Sequence, residues 1–158
     1  MQPTRNDIPE GLRTKMTALL AKRLADSLDL YGHVKHAHWN VKGQNFIALH
    51  ELFDAVATNA ATFADDIAER SVQLGGLANG LAAEVARTTS LAAFTPSYTT
   101  ERGWVEAVAN TLAACAKNIR ASIDEAAAAG DADTADLFTT ISRTIDKDVW
   151  FVDSHLRG

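Results

Sequence analysis

The sequence predicts an all-α domain built as a bundle of four long helices, and three observations carry that prediction. Alanine and leucine abound while only three of the 158 residues are proline. Val, Ile and Thr rarely alternate with polar residues as strands require. Apolar residues recur at helical spacing in long stretches that stop at glycines. The length suits a single domain over residues 1–158, with residues 1–10 as a short amino-terminal tail, and is enough to bury a proper core.

The first helix is expected from about Gly11 to Trp39, with Leu20, Leu24, Leu28 and Tyr31 on one face, and Lys42-Gly43 ends it. A second follows Asn45, which stands where an N-cap belongs, and runs to about Val72. Gly75-Gly76 and Asn79-Gly80 break the pattern, and the stretch up to Thr99 has room for a short helix near Leu81 to Arg87. Thr99 or Thr100 starts the third long helix, which closes at Gly130 after the run Ala126 to Ala129. Asp131 and Asp133 offer acceptors for the start of the fourth, which reaches nearly to the carboxyl terminus. Two short connections flanking one long crossover is the topology of a ferritin-like four-helix bundle.

Function enters through the second helix. His50 lies four residues before Asp54, and Asp65 four before Glu69, so each pair stacks on one helix face as a two-toothed grip for one ion. No Pro or Gly interrupts Phe46 to Arg70, so these residues can be placed on a wheel. With His50 at zero, Asp54 falls at about 40°, Asp65 at about 60° and Glu69 at about 100°, while Leu49, Leu52, Phe53, Val56, Phe63 and Ile67 gather at roughly 200 to 300°. Asp66, the rival of Asp65, falls at about 160° and off the face.

The ligand face thus points away from the chain's own core, and between the pairs it carries only Ala57, Thr58 and Ala61. Asp54 and Asp65 are about 16 Å apart along the axis, too far for one ion. An antiparallel second copy, crossing about a two-fold axis level with Asn59 and Ala60, would set the His50/Asp54 pair of one chain against the Asp65/Glu69 pair of the other.

A formal net charge of -5 and a pI near 5.4 argue against a surface built for nucleic acid or anionic membrane and favour metal cations as partners. The amino terminus lacks the apolar run of a signal peptide and no stretch suits a membrane span, so the expected location is cytoplasmic, with nucleoid association the variant of that expectation. Cys115 is the only cysteine, which excludes an intrachain disulfide and reads as a small buried hydrophobe.

The segments AHWNVKGQNFIALHELFD and DDIAERSVQLGG, together with the last helix GDADTADLFTTISRTIDKDVWFVDSH, resemble the Dps family of miniature ferritins over essentially the whole chain. The resemblance implies a hollow homododecamer whose ferroxidase centres lie at two-fold interfaces, oxidise Fe(II) with hydrogen peroxide in preference to oxygen, and store ferric iron. It implies His38, His50 and Asp54 as ligands from one subunit and Asp65 and Glu69 from its partner, with zinc as a substitute for iron. Carboxylates suit hard Fe(III), and few imidazoles leave room for oxidant. The chain has no Glu-x-x-His motif, the pattern that builds a di-iron centre inside one bundle.

Trp39, beside a ligand, is expected either to absorb a stray oxidising equivalent or to pack in an interface. His33 and His36, opposite the Leu20 stripe, and His155 near the terminus read as solvent-facing. Asp131, Asp133 and Asp136 are candidates to line an acidic three-fold pore, as the resemblance suggests for Asp131 and Asp136, with helix capping as the alternative for all three, weighed equally for Asp133. Residues 1 to 15 hold Arg5, Arg13 and Lys15 against Asp7 and Glu10, so DNA binding is expected to be weak or absent. The rival class is a nucleoid-compacting structural protein with a secondary metal site.

Overall fold

A computed structural model describes residues 1–157. Five helices follow in order: α1 Glu10–Asn40, α2 Phe46–Gln73, the short α3 Ala82–Thr88, α4 Glu101–Ala129 and α5 Ala132–Ser154. Helix α1 pairs with α2 and α4 with α5, while α1–α4 and α2–α5 contacts close the bundle and α3 lies against α1. The all-α, ferritin-like architecture is the one the sequence predicts, and the boundaries fall close to the expected ones.

The core runs the length of the bundle. Phe53, Leu49 and Ile67 of α2 meet Leu20, Leu30 and Val34 of α1, Leu112 and Ile119 of α4, and Phe138, Ile141 and Ile145 of α5 in one buried cluster. Each such side chain contributes roughly 2 kcal/mol of burial. On α1 the buried stripe continues through Ser27, Leu30, Val34 and Ala37, so Leu28 and Tyr31 lie beside it. Leu28 is half-buried and Tyr31 exposed, and both line a groove instead. Cys115 is fully buried, which pushes its thiol up to about 12 and leaves it inert as expected.

Side-chain caps start α4 and α5, whereas α1, α2 and α3 begin without one. Thr100 Oγ1 accepts from Gly103 N at 3.0 Å, and Gly130 takes the left-handed conformation (φ 89°) that closes α4. Asp131 caps α5 through Thr134 N. Asn45 occupies the N-cap position of α2 but makes no cap bond of its own. Its amide Nδ2 and backbone N instead donate to the Glu101 carboxylate of α4, at 2.8 and 2.9 Å. These bonds hold the Glu101 carboxyl below the usual range.

The crossover is tied down by polar contacts. Ser90 donates to buried Asp26 from its backbone N (2.7 Å) and hydroxyl, and Asn118 of α4 donates to Asp26 and to Ser90. The loop after α3 lies along the face of α1 expected to meet solvent, correcting the reading of two histidines there. His33 stacks on Phe94 and bonds Thr111 at 3.1 Å, and His36 packs against Phe94, Tyr98 and Trp104. Burial lowers the His33 pKa despite the nearby Asp29. His155 is exposed, as expected.

Residues 1–8 form a strap across the end of α2. Gln2 N donates to Gly75 O at 2.6 Å, and Arg13 reaches both Ile8 O (2.8 Å) and Leu74 O (3.1 Å). Among the described residues, no helix is long and apolar enough to cross a membrane.

Candidate metal centre

The last turn of α1 and the second turn of α2 bring His38 and His50 together, because the connection from Val41 to Asn45 reverses the chain within five residues. The two rings stack with centroids 3.8 Å apart. Each ring also bonds the other's backbone: His38 Nδ1 lies 2.8 Å from His50 O, and His50 Nδ1 2.9 Å from His38 O. A carbonyl oxygen can only accept, so both Nδ1 atoms carry a proton, and the neutral form of each ring is the tautomer with its lone pair on Nε2. A backbone bond that fixes the tautomer in this way is how metal-binding imidazoles are held.

Asp54 stands one turn beyond His50, and its Oδ1 lies 3.9 Å from His38 Nε2. That is too long for a hydrogen bond, so His38 Nε2 is not taken up by the Asp54 carboxylate. His38 is buried, His50 half-buried and Asp54 exposed. Lys35, one turn before His38, donates to Asp54 Oδ1 at 2.7 Å and holds the Asp54 carboxyl below its ordinary range. The same ammonium lies 5.8 Å from the centre of the Trp39 ring, which is 67% exposed. Sequence reading missed Lys35, although its i,i+3 spacing to His38 places it on the same face of α1.

Asp65 and Glu69 are exposed farther along α2 and do not meet the other three residues within the chain. Asp65 lies on a groove of about 390 Å³ formed with Leu24, Leu28, Tyr31, Ala61 and Ala64. Of the small residues expected on this face, Thr58 and Ala61 are exposed, whereas Ala57 is covered by the chain's own core. Among the described residues, no group of three or more His, Cys, Asp or Glu is assembled to hold a metal ion within one chain.

Asp131 is corrected. It is 2% exposed and both its oxygens are engaged: Oδ1 accepts from Thr134 N and Arg70 Nη2, and Oδ2 from Thr134 Oγ1. It is a buried helix cap paired with Arg70, not a pore lining, and those bonds keep its carboxyl below the ordinary range against the opposing effect of burial. Asp133 and Asp136 are exposed and share a second hollow with Asp66, Glu69 and Thr140. Of the two acceptors the sequence offers for the start of α5, Asp131 makes the cap and Asp133 does not.

The profile of the family described as Ferritin-like domain matches residues 17–158. The "DNA protection during starvation protein" of Agrobacterium fabrum is 40% identical over 154 residues, covering 98% of this chain and 95% of the relative. Among solved structures, Dps from Microbacterium arborescens "in the high iron form" is 33% identical with TM-score 0.87, covering 98% of this chain and 99% of that one. Mycobacterium smegmatis Dps superposes with TM-score 0.93 at 26% identity, covering 100% of this chain and 90% of that one. Matched along nearly its whole length in both sequence and fold, this chain belongs to the ferritin-like proteins and, within them, to the Dps family.

Proposed function

We propose that the protein is a ferroxidase and iron-storage cage: a homododecamer in which His38, His50 and Asp54 of one subunit and Asp65 and Glu69 of the partner subunit hold Fe(II) at a two-fold interface. The observation that carries this reading is the reciprocal His38–His50 lock, which leaves two Nε2 lone pairs beside an ionised Asp54. Three groups do not complete a coordination sphere, and the groove bearing Asp65 supplies the surface on which a second copy would bring the remaining carboxylates.

The mixed imidazole and carboxylate set accepts Fe(II) and stabilises Fe(III) once formed, and zinc can take the same ligands. Hydrogen peroxide is the preferred oxidant over oxygen. It removes one electron from each of two Fe(II) ions and, with two protons, leaves two Fe(III) and two waters, so no hydroxyl radical is released. Trp39, exposed beside the site, serves as an interface residue or takes up a stray oxidising equivalent. Asp136 lines the route by which Fe(II) enters the shell. The protein acts in the cytoplasm and protects by consuming peroxide and iron rather than by compacting DNA.

The test replaces each half-site separately. H50A/D54A and D65A/E69A are each expected to slow peroxide-driven Fe(II) oxidation more than tenfold, while light scattering still shows a particle of about twelve times 17.0 kDa. In shells assembled from both variants, some interfaces keep one intact centre and lose the other, so activity partly returns. Mixed shells as inactive as either parent, with mixing confirmed by mass, would rule out the intersubunit centre.

A further inference from the structure

The imidazole lock closes one side of the turn between α1 and α2, and a second contact closes the other. Glu101, in the first turn of α4, accepts from both the backbone N and the side-chain amide of Asn45. Its own backbone is fixed: Thr100 caps α4, and Gly103 sits so tightly that a Cβ there would meet Ser97 Cβ at 2.5 Å. Across the turn Gly43 holds φ at 153°, and a Cβ on it would overlap the Glu101 carboxylate. Leu49 N bonds Asn45 O at 3.0 Å, so the residue that Glu101 grips begins the helical ladder leading directly to His50.

We propose that Glu101 is a positioning residue for the metal centre: by clamping Asn45 against a glycine that leaves room for it, Glu101 sets how α2 starts, and so where His50 meets His38. The role is indirect, because Glu101 hydrogen-bonds neither imidazole. It rests on the metal-centre reading. Two ring nitrogens bonded to two backbone carbonyls require that the last turn of α1 and the second turn of α2 keep a fixed offset. The turn itself has only the Val41 N to Ala37 O bond (2.9 Å) and a long Phe46 N to Gly43 O bond (3.3 Å) to enforce it. Glu101 provides two further bonds, at 2.9 and 2.8 Å, from a third helix.

The probe is Co(II), whose visible absorption reports the geometry of its ligands, titrated into the assembled protein without oxidant. Wild-type binding and its loss in H50A define the site. E101A is expected to bind Co(II) about tenfold more weakly and to shift the absorption bands, as loss of a partner outside the ligand set does elsewhere. E101Q, which keeps an acceptor oxygen for one Asn45 donor, should lose less. G43A should weaken binding in the wild-type background and add less in the E101A background, because both changes act on one contact. Wild-type affinity in E101A when H50A has lost it, or equal losses in E101A and E101Q, overturns the positioning role and leaves the metal centre standing. If H50A binds Co(II) as the wild type does, the metal-centre reading itself falls and the positioning role with it. Should E101A fail to assemble, E101Q alone decides: severalfold weaker binding is expected, and wild-type affinity overturns the proposal.

Discussion

At the scale of single residues, the chemistry of the candidate centre lies in proton placement. Because each Nδ1–H of His38 and His50 is bonded to the other's carbonyl, the neutral form of each ring presents its lone pair on Nε2. Asp54 is kept ionised by Lys35, which must also be displaced when a cation arrives. Lys35→Met therefore removes a resident competitor. Zinc affinity of the assembled protein near neutral pH is expected to rise about two- to fivefold, the worth of an exposed ion pair, and the gain to shrink at high salt. Calorimetric titration reads this directly, and weaker binding in the variant would mean that Lys35 orients Asp54 rather than competing for it. The kinds and spacing of the candidate ligands on α2 are legible in the sequence, because i,i+4 pairs on one wheel face are a local property. Their locking bonds were not, since they join carbonyls across a turn whose path no pattern specifies.

At the scale of elements, the polar ties between helices separate what periodicity reveals from what it hides. The apolar face of α2 and the glycine stop of α4 followed from helical spacing and backbone freedom. The Leu20, Leu24, Leu28, Tyr31 stripe drifted off the core because α1 packs against α2 along one line and lines the groove along another. Asp131 reads in the sequence as a helix-start acceptor or a pore lining, and only the fold brings Arg70 to it. Asp148 of α5 shows the same effect. It is 5% exposed, and Asn59 of α2 donates to both its oxygens at 3.0 Å. Burial outweighs those bonds and raises its pKa from 3.8 to about 6. A carboxyl raised on folding adds stability below its unfolded value and loses it as the pH climbs through the folded one, here between about 3.8 and 6. Asp148→Asn keeps the shape without the charge. Its melting temperature is expected to exceed that of the wild type at pH 7, by the equivalent of about 1 to 2 kcal/mol after allowance for solvent screening, and to approach it as the pH falls to 5. An unchanged gap at the two pH values would show that folding does not raise the Asp148 pKa.

At the scale of the whole molecule, the strap of residues 1–8 bears on DNA. Of the few basic residues among the first fifteen, Arg13 in the first turn of α1 is committed to the Ile8 and Leu74 carbonyls, and the backbone of Gln2 is bonded to Gly75. These bonds, with a net charge of -5, disfavour attraction to phosphate. A mobility-shift titration of the assembled protein at about 150 mM salt is expected to show weak or no complex, since electrostatic contacts are strongly attenuated there. Twelve copies add avidity, so complexes can emerge at low salt. Tight complexes at about 150 mM that vanish on deleting residues 1 to 15 would favour the nucleoid-compacting alternative.

Both ends of α2 are held by the beginnings of later helices: Glu101 of α4 grips the residue before it, and Asp131 of α5 bonds Arg70 near its end. Pinned in this way, α2 acts as a ruler between Asp54 and Asp65, a graduated length of about 16 Å. In a two-fold pair each copy is measured against the other in the reverse sense, so any change in that length is charged to both centres at once. One residue inserted at Asn59 turns the far pair by about 100° and shifts it by about 1.5 Å, spoiling both centres equally. The two centres of such a pair are therefore a single inheritance: no alteration to the graduations can lose one and spare the other.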